Sequence, residues 1–77
     1  MPDSPALLAA LVHELNQPLT AILSNAQAAQ RFLASETVDL QELREILNDI
    51  VADDKRAAGI VRSIGAMLQN GLNAGKD

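Results

Sequence analysis

Residues 8–33 read Leu-Ala-Ala-Leu-Val-His-Glu-Leu-Asn-Gln-Pro-Leu-Thr-Ala-Ile-Leu-Ser-Asn-Ala-Gln-Ala-Ala-Gln-Arg-Phe-Leu. Within them Leu8, Val12, Leu15, Leu19, Ile22, Ala26, Ala29 and Leu33 recur at alternating spacings of four and three. That alternation is the seam of a helix packed lengthwise against other helices. Leu7, Leu11 and Leu23 broaden it into the stripe of a bundle helix. Upstream, Ser4 followed by Pro5 reads as an N-cap with proline at the first helical position.

Downstream, Ala34-Ser35-Glu36-Thr37-Val38 interrupts the pattern. Asp39, with Glu42 three residues on, resembles the start of a capping box. Leu43, Leu47, Ile50, Asp54, Ala57, Val61, Ile64 and Leu68 then repeat the four-three alternation, with Asp54 the one polar residue on that seam. The reading is all-α: one domain over residues 1–77, with a helix at about 5–34, a turn at 35–38, a helix at about 39–71 and a frayed tail at 72–77. Each helix is about 45 Å long. So short a connection requires an antiparallel hairpin. A lone hairpin leaves an apolar face in water on both helices, so two copies are expected to pair as a homodimeric four-helix bundle.

Composition agrees. Apolar residues make up 48% of the 77-residue chain but aromatics only 1%, which suits closely packed helices. There is no cysteine and one histidine, so disulfides and thiolate metal sites are excluded and a structural metal is not expected. A small domain lacking these gains stability from self-association. The net charge of −4, with no basic stripe, argues against nucleic acid. No signal peptide is evident and no apolar run approaches the length needed to cross a bilayer, so the chain reads as soluble.

Two residues stand out against this regular background. Pro18, inside the first helix, removes a backbone hydrogen bond and frees the Glu14 carbonyl, at a cost of about 3 kcal/mol; it marks either a site or a tolerated kink. His13, the only histidine, follows a seam residue and so lies on the outer flank with Gln17, Thr20 and Ser24. Imidazole can accept and release a proton or a phosphoryl group near neutral pH, and a neighbouring carboxylate, Glu14, could hold it in one tautomer. On spacing alone a solvated surface histidine is the simpler reading. Folding the hairpin sets His13 level with about residue 60. Lys55, Arg56 and Arg62 flank that level, available either to offset phosphoryl charge or to pair with Asp49, Asp53 and Asp54.

The run His13-Glu14-Leu15-Asn16-Gln17-Pro18-Leu19-Thr20 resembles the H-box of sensor histidine kinases. The helical hairpin around it is similar to their dimerisation and histidine-phosphotransfer domain over nearly the whole chain. The resemblance implies that His13 is the phosphoacceptor, that Glu14 orients the imidazole and accepts its proton, and that Pro18 lets the two halves of the bundle bend. It also implies three partners: a second copy of the chain, an ATP-binding catalytic domain, and a response-regulator receiver domain whose aspartate takes the phosphoryl group. No glycine-rich phosphate loop is visible, so no cofactor is expected in this chain; ATP and magnesium would be bound by the separate catalytic domain. The regulator would dock from His13 towards the turn, over Gln17, Thr20, Ser24 and Ala28. Where many members carry threonine or asparagine four residues after the histidine, this chain has Gln17, whose amide could position water for dephosphorylating the regulator. A cytoplasmic location is implied, with the parent protein membrane-anchored or not. A stand-alone phosphotransfer module and a purely structural hairpin are the competing readings, and the Gly75-Lys76-Asp77 end suits a piece of a longer protein.

Overall fold

In the computed structural model, the described residues (backbone 4–74, side chains 5–71) form two helices, α1 (Ser4–Leu33) and α2 (Leu40–Ala74). They lie antiparallel as a hairpin 64 Å long and 16 by 14 Å across. The chain leaves α1 through Ala34 N–H, bonded to the Gln30 carbonyl at 3.1 Å, and Ser35 N–H, bonded to that of Phe32 at 3.2 Å. Asp39 caps α2 as its sequence position predicts: its Oδ1 accepts from the N–H of Gln41 at 3.0 Å and of Glu42 at 3.2 Å. The return bond of a full capping box, in which the Asp39 N–H would donate to the Glu42 carboxylate, is not formed.

α2 runs past the expected stop at Gly71 to Ala74. Gly71 does not adopt the left-handed conformation of a helix-ending glycine; among the described residues no φ is positive. Leu72 and Ala74 are good helix formers and carry the helix through it. The tail expected to fray over 72–77 is helical as far as Ala74; its remainder, 75–77, like the Ser4 side chain as cap, lies outside the described residues.

The packing refines the single seam read from sequence. On α1 the half-buried or buried positions include Leu8, Leu11, Leu15, Pro18, Ile22, Ala29 and Phe32; on α2, Leu43, Ile46, Ile50, Ala57, Ile60, Ile64 and Met67. Thus alternate seam residues of α2 (Leu43, Ile50, Ala57 and Ile64) are covered, and on α1 Leu8, Leu15, Ile22, Ala26 and Ala29. The rest stay open: Val12, Leu19 and Leu33 on α1, and Leu47, Val61 and Leu68 on α2, with Leu23 and Val51 beside them. A seam directed at the axis of a four-helix bundle has two flanks, and one hairpin covers only one of them.

Pro18 is fully buried and Ala57 is 6% exposed, the two buried residues among those described. They lie within about one turn of the same level. Pro18 is thus an interior packing residue of the hairpin rather than a surface kink, and α1 runs through it uninterrupted.

One sequence expectation needs correction. No apolar run was expected to approach the length of a bilayer span, yet the segment Pro5–Leu33 is long and apolar enough on average to cross a membrane, with a mean hydropathy of 1.3 over its most apolar window. Leucine and alanine outweigh the interspersed polar residues over that window. By length and composition alone, the core helix of a soluble bundle meets the same criterion.

Candidate functional site

His13 lies in the third turn of α1, exposed on the flank expected for it, with Asn16, Gln17 and Thr20 exposed below it. These four residues, at offsets of zero, three, four and seven, line one open groove of about 360 Å³. Side chains on a helix lean towards its N-terminus, so Asn16 and Gln17 tilt back towards the imidazole one turn above. Gln17 and Thr20 were anticipated on this face; Asn16 was not, although its offset of three gives it the same adjacency to His13.

The His13 ring makes no hydrogen bond within the described residues, and neither does the Glu14 carboxylate. Consecutive helical residues are turned by about 100° from each other, which keeps Glu14 off the ring in the free hairpin. His13 is an exposed residue whose ring no side chain engages, and a neutral imidazole keeps one ring nitrogen free to act as a nucleophile.

The cations on α2 do not line this groove. Arg56 instead pairs with half-buried Asp53 at 3.3 Å, the surface pairing that the sequence left open. Arg62 reaches back along its own helix, its Nη2 lying 3.7 Å from where a Cβ on Gly59 would be. Lys55 is exposed. The donors around His13 are accordingly neutral amides and a hydroxyl. Among the described residues no cluster of histidine and carboxylates could hold a metal ion.

Ser24 is also exposed, and nearer the turn a second depression of about 350 Å³ is lined by Ala28, Arg31, Phe32 and Ser35. Arg31 stands about five full turns from His13 and so shares its face. The surface from His13 towards the turn is thus a continuous flank of α1 that ends in a basic residue beside a half-buried aromatic ring. Arg31 and Phe32 were not singled out from sequence. Counting forward from His13 in helical turns reaches the first of them.

The family model described as His Kinase A (phospho-acceptor) domain matches residues 6–69. A protein of Ectopseudomonas mendocina described as Sensor histidine kinase TmoS is 41% identical over 59 residues, which cover 77% of this chain and 6% of that protein. The chain thus corresponds to a small part of that relative's length. No solved structure matches it.

Proposed function

Since the chain belongs to the His Kinase A (phospho-acceptor) domain family, we propose that His13 is its phosphoacceptor, charged from ATP and discharged onto a response regulator. A neutral ring nitrogen attacks the γ-phosphorus of ATP held by a separate catalytic domain. The N–P bond forms as the bond to ADP breaks, and the ring proton passes to Glu14. An aspartate oxygen of the receiver domain then attacks the same phosphorus, displacing the imidazole. The observation that carries this reading is the solvent-facing ring of His13, in an open groove inside the matched segment. Both phosphorus-attacking partners need that access.

Glu14 makes no bond to the ring in the free hairpin, so its role as base belongs to the complex with the catalytic domain, where catalytic hydrogen bonds tighten. Gln17 supplies an amide that can orient a hydrolytic water for the regulator's phosphoaspartate. A second copy of the chain covers the open stripes of α1 and α2. Periodicity on both helices and the large apolar residues left exposed along the stripes, Val12, Leu19, Leu23, Leu47, Val61 and Leu68 among them, support that homodimer. ATP as donor and a cytosolic regulator as acceptor place the domain in the cytoplasm, with α1 a bundle helix and not a membrane span.

Incubation with the cognate catalytic domain and labelled ATP tests the assignment. Label should be acid-labile, as a phosphoramidate bond is, and absent from His13→Ala and His13→Gln. Label persisting in either variant overturns it.

A further inference from the structure

When His13 carries a phosphoryl group, two negative charges stand in a groove that no lysine or arginine lines. The chain's own donors there are the Asn16 and Gln17 amides and the Thr20 hydroxyl. They are not equally placed. Along the helix axis Asn16 is about 4.5 Å below His13, Gln17 about 6 Å and Thr20 about 10.5 Å. The shorter amide occupies the nearer position and the amide longer by one methylene the farther one. Both lean upward towards the ring. Around the axis Asn16 falls about 60° to one side of His13 and Gln17 about 40° to the other. They bracket the line on which the imidazole projects.

We propose that Asn16 is a second phosphoryl-positioning residue, which together with Gln17 forms a two-sided amide clamp on the phosphoryl group of phosphorylated His13. This rests on the phosphoacceptor role of His13. Each amide N–H donates to a phosphoryl oxygen, and such bonds to a charged acceptor are among the stronger ones available to a neutral side chain. The pair holds the P–N axis in one orientation for in-line attack by the receiver aspartate and hinders attack by random water. Asn16 sits between His13 and the open apolar residue Leu19, so the clamp is built on the rim of the dimer stripe.

The 77-residue chain itself serves for the test, with phosphoramidate as the phosphoryl donor; this small molecule transfers its phosphoryl group to a ring nitrogen and releases ammonia. The readouts are the ³¹P shift of the phosphohistidine and its hydrolytic half-life, with circular dichroism as a check on helicity. Asn16→Ala should shorten the half-life about three- to tenfold and move the ³¹P resonance, the loss of one hydrogen bond. Asn16→Asp, isosteric but with no donor and a negative charge, should shorten it further at unchanged helicity, which a merely structural role for Asn16 would not produce. Gln17→Ala should resemble Asn16→Ala, and the double variant should exceed either. Wild-type half-life and ³¹P shift in both Asn16 variants would overturn the clamp while leaving His13 as phosphoacceptor. A chain that takes no label at His13 would overturn that role and the clamp with it.

Discussion

Asp54 stands in the middle of the open apolar stripe of α2, with Leu47 and Val51 on one side and Ala58 and Val61 on the other. It has no hydrogen bond or ion pair among the described residues. In a dimer whose two-fold axis runs along the bundle, the Asp54 side chains of both copies fall at one level and lose water together, with no cation on the stripe to meet them. Asp54→Leu should therefore tighten dimerisation. Leu47 and Val61 retain 52% and 54% of their exposure in the hairpin, so a leucine at 54 would have about half of its side chain left to bury. At 1.5–3 kcal/mol for complete burial, this is about 1 kcal/mol per copy and about 2 kcal/mol per dimer. Removal of the like-charge pair adds to that. The dissociation constant should fall at least about 30-fold. Sedimentation equilibrium over a dilution series measures it directly, and Asp54→Asn isolates the charge from the apolar gain. An unchanged or larger dissociation constant for Asp54→Leu would refute the placement of this stripe at the interface.

Other perturbations separate the two flanks of the seam. Leu19→Asp or Val61→Asp, on the open flank, should give a helical monomer, whereas Leu15→Asp or Ile64→Asp, on the covered flank, should lose helicity as well; sedimentation with circular dichroism distinguishes them. Asp39→Ala removes the cap accepting from Gln41 and Glu42, and should cost about 1 kcal/mol, read as a melting temperature lower by about 4–8 °C. Pro18→Ala restores a helical donor worth about 3 kcal/mol, offset in part by the gap left by a fully buried ring, so thermal melting should occur higher by several degrees. In the parent kinase, Gln17→Ala should slow regulator dephosphorylation, measured as loss of label from the phosphorylated receiver domain; an unchanged rate removes Gln17 from that role.

The helical hairpin was legible in the sequence because the four-three alternation and a short polar break are both local signals. The turn lay within a residue of its expected place for the same reason: Asp39 caps through its own side chain, whatever packs on it. The end of α2 was not legible. A glycine at 71 permits a stop without requiring one, and the flanking residues decide. Glu14 shows a similar limit. Adjacency along the chain suggested a contact with His13, but the turn per residue on a helix separates them.

By itself the sequence determined the two helices, their antiparallel pairing, and the place of the single histidine on an outer flank, since periodicity needs only spacing. Tertiary structure decided which seam residues the hairpin covers and which it leaves open, because that depends on how each helix is rotated about its axis when they pack. It also made Pro18 an interior residue. Spacing gives neighbours on one helix, while burial arises only when surfaces meet.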